Sequence, residues 1–291
     1  MFVKATLHIG KNGSANHNDR QFDPKVTGDN HIDPDRMINN IYSSYKNIIP
    51  FAEAEKAFYT DSYSEWIEMQ NKKYLQHREA KKQKSISKLL TGRNTRPDEI
   101  ILQIGNQYDH PSEEKFAECV NEFIKSLAPY AQNFHVIDYA IHNDEATPHV
   151  HIRAVWDYID KDGIKKISQG KALEQLNIGL PYPELEEGRF NNRKITFQKE
   201  IREKWYDICE EKGLEIDREP IPGNDRHLNK NELTLREQEK KIQEKERYLQ
   251  EIDAAIQQKQ LDLERINQEL EKEEDKRQKK AQQLAKTLGL E

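Results

Sequence analysis

At 291 residues the chain has length enough for one or two domains and a real core, yet only 35% of it is hydrophobic, 34% is charged and its mean hydropathy is −1.03, so a substantial share must be solvated helix. The net charge of −6 argues against a uniformly basic nucleic-acid coat, and no apolar run approaches the ~18 residues of a membrane span. The opening residues lack the charged and apolar regions of a secretory leader, so a cytoplasmic location is expected.

Residues 2–9 alternate, with Val3, Ala5, Leu7 and Ile9 on one face and Lys4, Thr6 and His8 on the other, the pattern of a half-buried strand. Gly10, Gly13 and Ser14 supply turn residues, and His17, Asn18, Asp19 and Arg20 follow in a polar loop or short extended piece, and loops beside a rigid sheet often carry function. Asp33, Pro34 and Asp35 predict the cap of a helix over 36–46 that would carry Tyr42 and Tyr45. Residues 51–90 read as helical, with Phe58, Tyr59, Tyr63, Trp66 and Tyr74 as core candidates. The far end turns strongly basic: Lys72, Lys73, Arg78, Lys81, Lys82, Lys84, Lys88, Arg93 and Arg96 face Glu79 alone. This stretch is either a phosphate-tracking arm or a solvated helix face.

Residues 99–103 read as a strand, and Pro111 to Glu114 open a helix with Phe116, Val120, Phe123, Ile124 and Leu127 at helical spacing. Strands over 134–142 and 149–155 come next, then a turn at 160–163, a loop over 179–192 and a helix over 195–212 with Phe197, Ile201, Trp205 and Ile208 on one side. Cys119 and Cys209 fall within helices and read as buried thiols suited to reducing conditions. This order suits an α+β fold, an antiparallel sheet with helices on one face and the other free for a ligand. Past Pro220 to Gly223 the composition shifts to Glu, Lys, Gln and Leu, which places a first domain over 1–222 and a helical tail over 223–291. In that tail Leu235, Ile242, Leu249, Ile256, Leu263 and Leu270 recur every seventh residue, with Ile252 and Ile266 between, a thin coiled-coil seam and a possible homodimer contact.

The richest stretch is 141–155, which holds His142, His149 and His151, with Asn, Asp and Pro chemistry between two strands. His149 and His151 are two apart and project from one face of a strand, and a direct hairpin sets His142 opposite His149. Three imidazoles suit a borderline divalent metal and leave positions open for water or a phosphate oxygen. The spacing is not that of helical metalloprotease motifs, and no Cys pair accompanies it as in zinc deaminases. Glu145, beside the cluster, can orient a ligand, and Arg20 and Arg153 can each grip a phosphate through two parallel hydrogen bonds.

The run His142-x-x-Glu145-x-Thr147-Pro148-His149-x-His151 resembles the metal motif of the Mob/Pre (MobV-class) plasmid mobilisation and recombination relaxases, within the HUH endonuclease group. Asn16 to Arg20, with Phe22 and His31 to Asp33, is similar to that family's first motif, and residues 164–176 resemble its Lys-x-Ser segment. The resemblance implies an HUH relaxase-like sheet, a divalent metal (Mn first, with Mg, Co, Ni or Zn possible) on His142, His149 and His151, and His17 as nucleophile. Tyr42 and Tyr45 are the alternative nucleophiles, since most other HUH relaxases use tyrosine. It implies nicking and religation of single-stranded DNA at a plasmid or mobile-element transfer origin through a covalent 5′-phosphoryl intermediate. Asn18, Arg153, Lys72, Lys73, Arg78, Lys81, Lys82 and Lys84 would then meet DNA. The basic and aromatic insert between Phe51 and Arg96 departs from the family pattern. Two rival readings are a metal-dependent nuclease that uses water and a coiled-coil interaction protein with a vestigial site.

Overall fold

The computed structural model describes residues 2–11, 13–218 and 230–287, in two units, Met1–Glu219 and Pro220–Glu291. The boundary expected at 222/223 lies outside the described residues. In the first unit, strands β1 (Ala5–Gly10), β2 (Ile41–Ser44), β3 (Asp98–Ile104), β4 (Phe134–His142) and β5 (His149–Ile159) form an antiparallel sheet in the order β1-β3-β5-β4-β2. A short β6 (Lys165–Ile167) pairs with the far end of β5. This is the expected antiparallel α+β architecture.

The central strand explains how the sheet faces differ. Val150, Ile152, Ala154 and Trp156 of β5 join the main core with Phe116, Val120 and Phe123 of α5 (Glu113–Ser126) and Phe197, Ile201 and Trp205 of α7 (Arg193–Glu211). Trp205 sits between Phe116 and Phe123, with ring centroids 6.4 and 5.6 Å away, and the buried Cys119 and Cys209 are free thiols in the same layer. The opposite face carries His149, His151 and Arg153. Its distal half is covered by α3 (Phe51–Gln76), whose Phe58, Tyr59, Tyr63 and Trp66 pack with Ile137 and Val155. Helices therefore meet both faces, and only the proximal half of the second face is left for a site.

A bulge between Val136 and Asp138 keeps β4 in step with this division. Phe134 and Val136 before it, and Tyr139 and Ile141 after it, all pack on the main core, so the extra residue shifts the alternation by one. His142 is thereby delivered to the other face, directly opposite His149, in the register expected of a direct hairpin.

Three expectations change. Residues 36–46 are not one helix: a 3-10 turn (Met37–Asn39) leads into β2, which pairs with β4, and a second 3-10 turn (Tyr45–Asn47) follows. The edge of β4 needs backbone partners, and Ile41 and Tyr42 suit a strand better than the capping signal suits a helix. His17 and Asn18 lie in a one-turn helix, α1 (Ala15–Asn18), rather than a loop. The helix expected over 51–90 breaks after Gln76, where Arg78 adopts a positive φ of 58°. The chain then folds back because Asn71 donates to the Lys84 carbonyl (2.9 Å) and accepts its N–H (2.7 Å), before α4 (Ile86–Thr91).

Among the described residues, the second unit is one helix, α8 (Lys230–Thr287), of 58 residues. Its seam residues Leu249, Ile252, Ile256, Leu263, Ile266 and Leu270 are exposed, while the side chains of Leu235 and Ile242 lie outside the described residues.

Candidate metal centre

Strand period and hairpin register converge the three imidazoles. The ring centroids of His142, His149 and His151 are 5.0 to 5.2 Å apart, and one ligand nitrogen from each lies within 4.8 Å of the others. Every ring has its second nitrogen anchored. His142 Nε2 donates to the Asn18 carbonyl (2.7 Å), His149 Nδ1 to the Thr147 carbonyl (3.0 Å), and His151 Nδ1 to a carboxylate oxygen of Glu99 (3.1 Å). These partners fix the tautomers and leave lone pairs on His142 Nδ1, His149 Nε2 and His151 Nε2. Two such nitrogens bound to one ion at about 2.1 Å and a tetrahedral angle stand about 3.4 Å apart. The separation of His142 Nδ1 and His149 Nε2 is 3.4 Å. The residues thus fit a divalent ion.

Burial, reinforced by the Arg20 guanidinium and the neighbouring imidazoles, pushes His142 down to about 2. Burial and His151 push His149 to about 4. Both rings are therefore neutral near pH 7, which is the form that binds metal.

His17 lies against this triad, its ring centroid 6.2 Å from His142 and 5.9 Å from His151, and it stacks on Phe22 at 5.8 Å. Burial and Arg20, whose Nη1 is 3.3 Å from His17 Nε2, lower its pKa and keep the imidazole neutral. Arg20 adopts a positive φ of 55° and turns inward. Its Nε and Nη2 donate to the two oxygens of Asp144, each at 2.8 Å, and Nη2 also reaches Glu145 at 3.1 Å. Burial alone would raise the Asp144 carboxyl, but hydrogen bonds from Arg20 and Asn40 hold it below the usual range. Further ties bind the hairpin loop to the stretch before β2: Asp33 N–H donates to the Asp144 carbonyl (2.8 Å), and Asn143 N–H to the Asn40 side chain (2.7 Å).

The structure brings His17, Arg20, His142, Glu145, His149 and His151 together. Glu145 Oε1 is 3.7 Å from His149 Nε2 and from His31 Nε2. Tyr42, opposite Ala140, points to the same face, where its hydroxyl accepts from Asn40 (3.2 Å) and burial raises its pKa. Tyr45 instead bonds Asp61 (3.1 Å) and leans on Phe58, away from the triad. The residues expected to touch phosphate are spent elsewhere. Asn18 is only 1% exposed, Arg153 is buried on Glu55 (2.7 Å), and the paired edge of Arg20 is taken by Asp144. The basic residues start about 30 Å along the α3 axis from Phe51, whose N–H caps onto Asp19 beside the site. Lys72, Lys73, Arg78, Lys81 and Lys82 are exposed there, Lys82 pairs with Glu79, and Lys84 lies over the Trp66 ring at 4.6 Å.

Asp144, Asn40, Glu99 and Glu55 are the site residues that sequence reasoning missed. Glu99 left one trace, a charged residue on the same strand face as Ile101 and Gln103, whereas Asp144 looked like ordinary turn chemistry.

No protein-family model matches the chain, and no curated protein matches it. Among solved structures it is similar to a relaxase domain. The MobM relaxase domain (MOBV; Mob_Pre), Mn-bound and in complex with plasmid pMV158 oriT DNA at pH 5.5, aligns with a TM-score of 0.45 at 16% identity, covering 80% of this chain and 98% of that one. Its crystals at pH 4.6 give 0.43 at 17% identity, with 80% and 99% covered. A 3′-thiophosphate complex at pH 6.8 gives 0.41 at 16%, with 80% and 98% covered. This is the family that the histidine motifs resemble.

Asp144→Ala leaves the Arg20 guanidinium buried without its main partner, and the expected loss is about 3–5 kcal/mol, as for other broken buried pairs, in urea unfolding followed by circular dichroism. A loss under about 1 kcal/mol would mean that the pair does not hold the two loops.

Proposed function

We propose that the chain is a metal-dependent DNA relaxase: it nicks one strand at the transfer origin of a plasmid or mobile element, keeps the 5′ end bound to itself, and reseals it. The observation that carries this reading is the placement of a neutral, half-buried His17 about 6 Å from two rings of a three-imidazole metal site. A site for water hydrolysis needs no such side chain, and a structural site needs no open ligand position.

A divalent ion on the three imidazoles, Mn in preference to Mg, Co, Ni or Zn, would draw charge from the nonbridging oxygens of the scissile phosphate. The unprotonated ring nitrogen of His17 forms a bond to phosphorus while the bond from phosphorus to the 3′ oxygen breaks. The leaving oxygen takes a proton and becomes a 3′ hydroxyl, and the imidazole gives up its own ring proton. The P–N bond conserves the energy for the reverse step, in which the 3′ hydroxyl displaces His17. Arg20 holds His17 in place and neutral, and Glu145, whose Oε1 is 3.7 Å from the ligand nitrogen of His149, would orient a metal-bound water from the rim. Tyr42 shares the face and is the alternative nucleophile. Lys72, Lys73, Arg78, Lys81 and Lys82 would follow the DNA backbone beyond the centre, and the exposed seam of α8 would pair two copies.

Single-stranded origin DNA labelled 3′ of the nick, incubated with protein and Mn²⁺, is expected to yield a labelled protein band that survives denaturation. The band should vanish in His17→Ala and with chelator and persist in Tyr42→Phe; free 5′-phosphate product with no adduct would make the protein a water-using nuclease. Changing Lys72, Lys73, Arg78, Lys81 and Lys82 to Gln should flatten the salt dependence of single-strand binding by up to about 0.7 for each phosphate left without its cation. An unchanged slope removes the arm from the interface. Light scattering on the full chain should give twice 34.3 kDa and fall to monomer in an Ile256→Lys, Leu263→Lys double variant, whereas a monomeric wild type ends the dimer proposal.

A further inference from the structure

Asn18, next to the proposed nucleophile, is joined to two of the three metal ligands by separate routes. Its backbone carbonyl accepts from His142 Nε2 at 2.7 Å. Its side-chain Nδ2 donates to Glu99 Oε1 at 2.9 Å, and that oxygen accepts from His151 Nδ1 at 3.1 Å. Asn18 is 1% exposed and Glu99 6%, so neither contact has water as a ready substitute. The segment before Asn18 is fitted to the same carboxylate, because a Cβ on Gly13 would overlap the Glu99 side chain.

We propose that docking of the segment carrying His17 and loading of the metal site are one linked equilibrium, with Asn18 as the joint; this rests on the reading of the three imidazoles as a metal site. If the segment lifts away, the His142 ring loses the acceptor that holds its proton on Nε2, and Glu99 loses the donor that aims it at His151. Both rings are then free to place a proton on the nitrogen that should bind the ion. The coupling runs equally in both directions: whatever factor docking adds to metal affinity, the metal adds to docking. A chain without metal would keep its nucleophile loosely held, and DNA cleavage would start only when ion and segment are both in place.

The test is Mn²⁺ titration by calorimetry without DNA, with hydrogen exchange of residues 14–20. Asn18→Ala and the isosteric Glu99→Gln are expected to weaken Mn²⁺ binding on the order of 10- to 100-fold, the range for outer partners of ligand histidines. Gly13→Ala should act in the same direction by displacing Glu99 while touching no ligand. In the wild type, Mn²⁺ should slow exchange over 14–20, and less so in the variants; circular dichroism confirms that each is folded. Wild-type affinity in folded Glu99→Gln and Gly13→Ala, or exchange over 14–20 indifferent to Mn²⁺, overturns the linkage. A wild type that binds no Mn²⁺ overturns the metal reading and the linkage together. Absence of a DNA adduct with the affinity losses intact overturns the relaxase reading alone.

Discussion

A single buried ion pair makes the rest of the site possible. Arg20 arrives from the N-terminal segment and Asp144 from the hairpin loop, 124 positions away in sequence, and they meet through two 2.8 Å hydrogen bonds with almost no solvent on either side chain. Taking both charges out of water is expensive, and the pair adds little net stability compared with an apolar one. What it adds is exclusivity: neither loop can shift without stranding a charge. The carboxylate takes a further hydrogen bond from Asn40, so the chain just before β2 is drawn into the same joint. Three stretches far apart in sequence are thereby fixed around one point.

The triad itself shows how burial is used. Imidazoles packed this closely would repel one another if protonated, and desolvation by the surrounding sheet and loops holds His142 and His149 neutral. Anchoring the outer nitrogens then decides which lone pair faces inward. Two of the three anchors come from outside the hairpin, from Asn18 and Glu99, so the hairpin alone supplies the three rings but not their tautomers.

What could be read in advance follows from how far each interaction reaches along the chain. The convergence of His142, His149 and His151 was legible because strand period and hairpin pairing are local geometry. The amphipathic faces of α5 and α7 and the even spacing of the α8 seam were legible for the same reason. The structure of 36–46 was not, because its strand exists only through the free edge of β4. Asn18, Arg20 and Arg153 looked like ligands for phosphate because sequence shows a charge or amide without showing its partner. Their partners, Glu99, Asp144 and Glu55, lie 81 to 124 positions away, and a local pattern of residues carries no information about pairing at that distance.

The distribution of charge around the triad favours a cation there. On the rim, Arg20 is set against the carboxylates of Asp144 and Glu145, while Arg36, which donates to the Glu145 carbonyl at 3.2 Å, is paired with Glu113. On the floor, Arg153 is set against Glu55 and Glu99. Burial and the nearby Glu55 push Asp138, whose two oxygens lack hydrogen-bond partners among the described residues, well above the usual carboxylate range. Glu99 goes the other way: burial opposes its charge, but hydrogen bonds from His151 and Asn18 hold it ionised. Among these side chains, rim and floor each hold one carboxylate more than they hold guanidinium groups, and the three rings lie between them, with His142 and His149 held neutral. A divalent ion would offset that excess, whereas an empty site carries it in a medium that screens charge poorly. On the proposed relaxase reading, the same excess would repel the phosphates of DNA, and a bound ion would let the centre hold a nucleic-acid backbone against His17.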